Sequence, residues 1–235
     1  MAADPHAEFE ETGRLWIRQA LSEQDVKAID AAAAAPDKPG ARLKWTGAFE
    51  ETLGTKSKMA RLIRGVMPGG FPIRLVAFNK TPASNWSVPW HQDRVVALAE
   101  RHDTAGFRNW SRKAGIWHAE PPADLLSSML FARIHLDDTD EANGCLELAL
   151  GTHHLGLIPG DQAAVTATEA PREICRAARG DVLLVKALTL HRSLSSQTDG
   201  NRKALRVDYA NTALPAPLEW SFRRQIKHRG FNVNP

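Results

Sequence analysis

Two short segments of the sequence place a histidine two residues before an aspartate. They are His91-Gln92-Asp93 and His135-Leu136-Asp137. Side chains two apart in an extended segment share a face, so either pair can present an imidazole and a carboxylate to one metal ion. The chain contains nine histidines, and so short a motif is weak evidence by itself. A third ligand is needed to choose between the pairs.

His191 is the third candidate ligand, because it ends the apolar run LLVKALTL. Two imidazoles and one carboxylate on one side of a metal ion form the facial triad of non-haem iron(II) oxygenases, which leaves coordination positions open. A histidine at the end of an apolar run is, taken alone, more often a core residue that is satisfied by hydrogen bonds. The residues that follow His191 therefore decide its interpretation.

Arg202 lies eleven residues after His191 and follows the turn residues 199–201. The turn and the alternating segment after it predict a hairpin that places Arg202 beside His191. A planar guanidinium can bind a carboxylate through two hydrogen bonds. Arg202 is therefore suited to hold the far carboxylate of 2-oxoglutarate, an organic acid that can chelate iron.

Arg206 is the fallback anchor for the same carboxylate, because alternation places it on the same strand face as Arg202. For either arginine the alternative is a surface ion pair with Asp208 or Glu219. Such pairs usually contribute little to stability.

The elements that must position these residues change in character near Pro72. Before it, Ser22 begins a segment with helical spacing and a capping residue, and a second helix is expected over residues 57–66. After it, short runs rich in Val, Ile, Leu and Phe predict eight strands, near 72–80, 86–92, 127–136, 145–150, 172–177, 182–186, 188–193 and 203–210. Eight strands are typical of a jelly roll, so we predict a mainly β fold with flanking helices.

We expect a single domain over residues 1–235. It would consist of a helical N-terminal part (1–70), a jelly-roll core (71–215) and a C-terminal tail (216–235). Within the core, residues 94–126 form a long irregular stretch that is either an ordered lid or a cover for an exposed sheet.

Strand order favours His91 and Asp93 as the partners of His191. Four predicted strands separate Asp93 from the strand of His191, whereas three separate Asp137 from it. In an antiparallel roll this difference decides which strand ends meet.

Composition narrows the class of protein. Thirty Lys and Arg against 27 Asp and Glu give a net charge of +3, and the basic residues are scattered, so nucleic-acid binding is not predicted. The exception is a tail cluster, which is either a solvated surface or a site that steers an anionic substrate: Arg223, Arg224, Lys227, His228 and Arg229.

The sequence also lacks the patterns of a membrane or secreted protein. No apolar run approaches about 18 residues, and the acidic N-terminus has no signal-peptide pattern. Cys145 and Cys175 show no CxxC spacing, so we expect buried free thiols. These features predict a cytoplasmic protein that does not interact with a membrane.

Four segments of the sequence resemble the phytanoyl-CoA dioxygenase family of iron oxygenases, and the resemblance covers nearly the whole chain. They are AFNKTPASNWSVPWHQD, KAGIWHAEPP, ARIHLDDTDEANGCLELALGTHHLG and HRSLSSQTDGNRKALRVDYA. The DD-T-E-NG-L run and the Gly-x-His turn lie between the HxD motif and the distal histidine, where this family has them. Leu150 replaces a proline that is common before this turn, and we expect only a local loop change. His153 and His154 are read as turn residues rather than ligands.

The resemblance implies a cupin-like double-stranded β-helix. In it, His91, Asp93 and His191 would bind iron(II), and Arg202 would bind 2-oxoglutarate. It also implies that Ser193 bonds the co-substrate carboxylate. Arg133 would lie near the co-substrate, although a buried structural arginine remains the alternative for this residue.

The resemblance further implies oxygen-dependent hydroxylation of a small-molecule substrate, with release of succinate and carbon dioxide. The carboxylate of Asp93 favours hydroxylation because related halogenases lack this ligand. Candidate substrate contacts are Lys80, Trp86, Trp90, Trp110, Trp117, His118 and Arg206. Packing in the core is the alternative for each aromatic residue.

Two other functions are compatible with the same ligands. One is a zinc hydrolase, and the other is a jelly-roll protein that binds a small ligand without chemistry. Arg202 favours the oxygenase, because a hydrolase has no need of it. The sequence indicates neither the substrate nor the oligomeric state.

Overall fold

A computed structural model describes residues 4–33, 40–113 and 115–222. The helices are α1 (Pro5–Thr12), α2 (Glu23–Ala32), α3 (Gly47–Leu53), α4 (Lys58–Val66), α5 (Ala123–Ser127) and α6 (Ala163–Glu169), with a 3-10 turn at Thr152–Leu155. The strands are β1 (Arg14–Ile17), β2 (Ala41–Leu43), β3 (Phe71–Lys80), β4 (Val88–His91), β5 (Val96–Leu98), β6 (Arg108–Lys113), β7 (Ile116–Glu120), β8 (Leu130–His135), β9 (Leu146–Ala149), β10 (Arg172–Cys175), β11 (Val182–Lys186), β12 (Leu190–Ser193) and β13 (Arg202–Ala210). The basic tail cluster lies outside the described residues.

The eight predicted strands are all present, as β3, β4 and β8 to β13. Six strands form a large sheet in the order β1-β11-β8-β13-β3-β2, and four form a small sheet in the order β10-β9-β12-β4. The pairs are antiparallel. The predicted jelly roll with flanking helices is confirmed.

The two predicted helices are also present, and serine residues cap both. Ser22 and Asp25 form a reciprocal capping box at α2, and the Ser57 hydroxyl accepts a hydrogen bond from the Ala60 amide at α4. Caps of this kind satisfy amide groups that the first helical turn leaves free. Two helices of the N-terminal part are therefore predictable from the sequence, whereas α1, α3 and the strands β1 and β2 of the same part were not predicted.

Alternation along β13 assigns its two faces to different environments. Leu205, Val207 and Tyr209 are buried in the main core, which includes residues of α2, α3 and α4. Arg202 and Arg206 lie on the other face and line a cavity together with residues of the small sheet. The period-2 pattern thus separates a packing face from a functional face.

The predicted hairpin between His191 and Arg202 is wrong. β12 belongs to the small sheet and β13 to the large sheet, so the chain crosses between sheets after Ser193. Arg202 instead pairs with Lys80 on β3. Arg202 still reaches the cavity that His191 lines, because the cavity lies between the two sheets.

Residues 94–126 are not irregular. They contain α5 and a third sheet with the order β5-β7-β6, whose apolar side chains pack in a separate cluster with Trp220 and Leu218. The three additional strands raise the number between β4 and β12 from four to seven. Among the described residues, no helix has the length and apolar character needed to cross a bilayer.

Candidate active site

His91 and His191 are direct partners across adjacent strands. They occupy the same register position of β4 and β12, and their ring centroids are 4.2 Å apart. Asp93 lies just beyond the end of β4. One ligand atom from each of the three residues lies within 4.8 Å of the other two, so the strand pairing builds a compact set of two nitrogens and one oxygen. That donor set fits iron(II).

Backbone carbonyls orient both imidazole rings. Nδ1 of His91 lies 2.8 Å from the Pro89 carbonyl oxygen, and Nδ1 of His191 lies 2.9 Å from that of Thr189. A carbonyl can only accept, so each Nδ1 carries the hydrogen and each Nε2 keeps its lone pair. Such outer contacts fix the tautomer and the ring orientation of metal-binding histidines.

Asp93 is held ionised by the cations around it. Burial on its own would raise the pKa of this carboxyl, but the positive charge of Arg206, with a smaller effect of Arg74, outweighs that effect and lowers it. Arg206 Nη1 lies 2.7 Å and His191 Nε2 lies 3.3 Å from Asp93 Oδ2. Burial is the main cause that lowers the pKa of His191 to about 3. A neutral imidazole and an anionic carboxylate are the forms that bind a metal.

The second HxD motif lies elsewhere and has other partners. His135 is buried, stacks on Trp16, and its Nδ1 lies 3.2 Å from the Asp181 carbonyl oxygen. An Asp137 oxygen accepts a hydrogen bond from the Lys203 amide. Within the described part of the chain, only His91, Asp93 and His191 come together as a possible metal site.

Three cations line the same cavity without an acidic partner. Lys80, Arg133 and Arg202 are all buried, and none forms an ion pair with a carboxylate of the described residues. Nε of Arg133 and Nε of Arg202 are buried and have no hydrogen-bond partner there. Unpaired buried cations are costly, so this arrangement fits a ligand that carries negative charge, such as the dianion 2-oxoglutarate.

Burial and mutual repulsion change the proton affinity of these cations. Burial, followed by the neighbouring Arg202 and Arg133 guanidiniums, lowers the pKa of Lys80 to about 7. Burial and then Arg133 lower the pKa of Arg202 to about 9. The direction of both shifts agrees with a cluster that lacks an anion.

Gly144 organises this cation cluster through its carbonyl oxygen. The oxygen accepts hydrogen bonds from Arg202 Nη2 at 2.7 Å, from the Ser193 hydroxyl at 3.1 Å and from Lys80 Nζ at 3.5 Å. Ser193 also accepts from Lys80 at 2.9 Å. The Ser193 hydroxyl therefore donates to the backbone, and it must rotate before it can donate to a co-substrate.

Gly144 follows Asn143 in an Asn-Gly turn, and nothing in its sequence context indicates a functional role. Its φ is +74°, and a Cβ atom would lie 2.4 Å from the Leu194 carbonyl oxygen and 2.9 Å from Lys80 Nζ. Only glycine fits this position, since both the backbone conformation and the available space exclude a side chain. The Asn143-Gly144 dipeptide, which is typical of a tight turn, was the available signal.

We expect Gly144→Ala to weaken 2-oxoglutarate binding by at least about 10-fold, because a shift of this backbone displaces Lys80 and moves the acceptor of Arg202. Gly69→Ala is the matched control. Gly69 has a similar φ of +72° but nothing within 4 Å of its Cβ position. Calorimetric titration of both metal-loaded variants checks this expectation. Equal losses in the two variants would show that backbone strain alone is responsible.

The predicted substrate contacts fall into two groups. Lys80, Trp86 and Arg206 line the cavity. Trp90, Trp110, Trp117 and His118 do not line it. Trp90 is buried in a cluster with Ala163 and Ala167, and its ring lies 4.9 Å from the Arg192 guanidinium.

The other three residues belong to the third sheet. Trp110 and Trp117 pack against its apolar cluster, with their ring centroids 6.4 Å apart. His118 is buried, and burial lowers its pKa to about 4. These positions correspond to the core-packing alternative for both tryptophans. Phe78, Val88 and Leu146 line the cavity but are indistinguishable from ordinary strand residues in the sequence.

Fold and site together define the class of protein. A jelly roll with two histidines and one aspartate beside a cluster of unpaired cations is an iron(II)- and 2-oxoglutarate-dependent oxygenase. The chain belongs to the phytanoyl-CoA dioxygenase (PhyH) family, whose family model matches residues 9–204. A comparison with curated proteins found no match.

Several solved structures share the fold. AviO1 from Streptomyces viridochromogenes Tue57 is 20% identical with a TM-score of 0.63, and the alignment covers 90% of this chain and 95% of that chain. The non-heme alpha ketoglutarate dependent carbocyclase SnoK from nogalamycin biosynthesis is 17% identical with a TM-score of 0.64, covering 91% and 85%. HygX from Streptomyces hygroscopicus, with nickel, 2-oxoglutarate and hygromycin B bound, is 16% identical with a TM-score of 0.62, covering 90% and 88%.

Proposed function

We propose that this protein hydroxylates a small-molecule substrate, with His91, Asp93 and His191 as the iron ligands and Arg202 as the main anchor of 2-oxoglutarate. The observation that carries the proposal is the shared cavity. It contains both histidines on one side and the unpaired cations Lys80, Arg133 and Arg202 on the other. A zinc hydrolase would have no use for such a cation cluster.

The residues of the chain would bind and orient the metal ion and 2-oxoglutarate, and would shield them from water. Iron(II) with 2-oxoglutarate and oxygen supplies the oxidising power when bound, and succinate and carbon dioxide are released. Arg202 presents a guanidinium whose Nε has no partner among the described residues, so it can bind a carboxylate without breaking an ion pair. Phe131 and Leu146 give the cavity apolar walls, which exclude water.

Lys80 is part of the proposed anion site rather than a substrate contact. It lies directly opposite Arg202 on the neighbouring strand, and its ammonium is bound by Ser193, Leu194 and Gly144. In this position it contributes positive charge and holds the two loops that border the cavity. Arg133 adds a third cation, on β8.

Anaerobic addition of iron(II) and 2-oxoglutarate tests the proposal. We expect a visible charge-transfer band from the chelate, followed by succinate formation on exposure to oxygen. Zinc must not support succinate formation. Absence of the band in the wild-type protein, or a band that persists in His191→Ala, would overturn the assignment.

The affinity for 2-oxoglutarate is expected to fall as pH rises above 7. The pKa of Lys80 is about 7 before the anion binds, and a bound dianion favours the ammonium form and raises this pKa. Below pH 7 Lys80 is an ammonium in both the free and the 2-oxoglutarate-bound protein, so the affinity is constant. Between the pKa of Lys80 in the free protein and its higher pKa in the complex, each pH unit lowers the affinity by up to about 10-fold. Titrations from pH 6 to 9 check this, and Lys80→Met is expected to flatten the profile.

The substrate class can be approached through the structural neighbours. One of them is described with hygromycin B bound and another belongs to nogalamycin biosynthesis, so a panel of glycosylated natural products is a rational first screen. Phe78 and Trp86 give the cavity aromatic surface, which suits the apolar faces of rings. Substrate-dependent oxygen uptake and mass spectrometry would identify a hydroxylated product.

The proposal also includes the organisation and location of the protein. We propose one catalytic domain with the ranges given above, because strands of both main sheets line one shared cavity. Cys145 and Cys175 are buried free thiols, as predicted, which is compatible with a cytoplasmic location.

A further inference from the structure

Arg206 is bound on two sides by carboxylates. Its Nη1 lies 2.7 Å from Asp93 Oδ2, and its Nε donates a hydrogen bond of 2.5 Å to Asp208 Oδ1. The guanidinium carbon also lies 4.1 Å from the centre of the Phe131 ring. Arg206 thus differs from Arg202 and Arg133, because its charge is already compensated. It is not available as an anchor for a second carboxylate.

Arg206 is itself held by a chain of alternating charges. The other oxygen of Asp208 is paired with Arg74 Nε, and Arg74 lies opposite Asp208 on the neighbouring strand. The order from the candidate metal site outward is Asp93, Arg206, Asp208 and Arg74. Asp208 is almost fully buried, and Arg206 is largely so. Buried and paired charges of this kind hold a fixed geometry.

The contact with Arg206 restricts how Asp93 can bind a metal. Oδ2 is the oxygen that faces both Arg206 and His191. The ion pair at Oδ2 disfavours a rotation that would present both oxygens of Asp93 to an ion. Ligation through a single oxygen keeps open the positions that a facial triad offers to its co-substrates.

We propose that Arg206 is a positioning residue that restricts Asp93 to one-oxygen ligation, with Asp208 and Arg74 as its supports. The inference rests on the proposed function, because it assigns Asp93 as a metal ligand. It gives Arg206 a role different from anchoring a co-substrate or contacting the substrate. In this role Arg206 acts through Asp93.

The test uses cobalt(II) in place of iron(II) in the full-length protein, with Arg206→Met as the first variant. The three ligands remain, so cobalt(II) still binds, but its visible d–d spectrum is expected to change as Asp93 becomes free to rotate. The affinity of the cobalt-loaded protein for 2-oxoglutarate is expected to fall by about 10- to 100-fold, the usual range for outer-shell partners. Arg206→Lys is expected to restore part of the affinity, since it keeps one cation beside Asp93.

A second variant, Asp208→Asn, keeps Arg206 in place and weakens its support. It is expected to shift the spectrum and the 2-oxoglutarate affinity in the same direction, by less. If Arg206→Met does not fold, the Asp208→Asn result alone tests the role of Arg206. Asp181→Asn is the matched control, because Asp181 is an equally buried, ion-paired carboxylate away from the cavity, and it must leave both readouts unchanged.

Different results would overturn the proposed function and the positioning role of Arg206. If wild-type protein forms no metal and 2-oxoglutarate complex, the proposed function is overturned. If the wild-type complex forms, and Asp208→Asn and any folded Arg206→Met protein give the wild-type spectrum and affinity, the role of Arg206 alone is overturned.

Discussion

His91→Ala is expected to weaken iron(II) binding by more than about 100-fold, since replacing even the outer-shell partner of a ligand commonly costs 10- to 100-fold. His91 supplies one of the two imidazole groups that lie close to Asp93, and its partner His191 lies directly across the strand pair. No other histidine of the described residues lies close enough to replace it. The visible chelate band and titration with iron(II) measure the loss.

His135→Ala is the informative comparison. His135 belongs to the second HxD motif, but it is a core residue that stacks on Trp16. Its removal is expected to lower the thermal midpoint and to leave iron(II) affinity near that of the wild type. The reverse pattern, with iron binding lost in His135→Ala and kept in His91→Ala, would refute the assignment of the ligands.

The strands of the roll could be predicted because their residues alternate and because turn residues separate them. β13 illustrates this, since Leu205 and Val207 face the main core while Arg202 and Arg206 face the cavity. The third sheet was missed for the opposite reason. In β6, residues 108–113 are mostly exposed or half-buried and carry no apolar alternation, so nothing in the sequence marks them as a strand.

The site residues were predictable as types, but not in their connections. Arg202 was predicted to lie beside His191 in a hairpin, whereas β12 with His191 and β13 with Arg202 belong to different sheets. The side chains share a cavity because the sheets face one another. The number of residues between His191 and Arg202 cannot distinguish a hairpin within one sheet from two strands in facing sheets. Arg206 shows the same limit in its ion pair with Asp93, which depends on β13 and the end of β4 lying close together in space. Its pair with Asp208, two residues further along the same strand, was one of the alternatives that the sequence left open.

The contact between Lys80 and Gly144 shows a further reason why some contacts could not be predicted from the sequence. The lysine ends a strand and the glycine lies in a distant turn, yet the two residues meet over a carbonyl oxygen. Each is unremarkable in its own segment. They meet because the turn between β8 and β9 brings the Gly144 carbonyl oxygen to the strand ends that carry Lys80 and Arg202.

Arg202→Met is expected to weaken 2-oxoglutarate binding by at least about 30-fold, the effect of removing one partner of a buried charge pair at about 2 kcal/mol or more. Arg202 is buried, and its single hydrogen bond within the described residues goes to the Gly144 carbonyl. The variant removes the group that is proposed to bind the co-substrate carboxylate. Titration of the metal-loaded protein measures the change.

The same variant is expected to stabilise the protein in the absence of 2-oxoglutarate. Burial and Arg133 lower the pKa of Arg202 to about 9, so at pH 7 the folded protein carries a charge that burial disfavours. This cost is fully present below pH 9 and declines as pH rises from there toward the higher pKa of the unfolded chain, so removal of the charge is favourable at pH 7. Each kcal/mol recovered raises the thermal midpoint by about 2–4 °C for a chain of this size.

Arg192→Met is the matched control for both measurements. Arg192 lines the same cavity, but it is paired with Glu147 at 2.6 Å. Its replacement leaves a carboxylate with a weaker partner, so the midpoint is expected to stay the same or fall. A thermal midpoint that rises in Arg202→Met and not in Arg192→Met would show that the unpaired charge of Arg202 destabilises the ligand-free protein. Binding of the anionic ligand would then be the reason for this charge. A fall in both would mean that Arg202 is a structural residue, and the anchor would then have to be sought at Arg133.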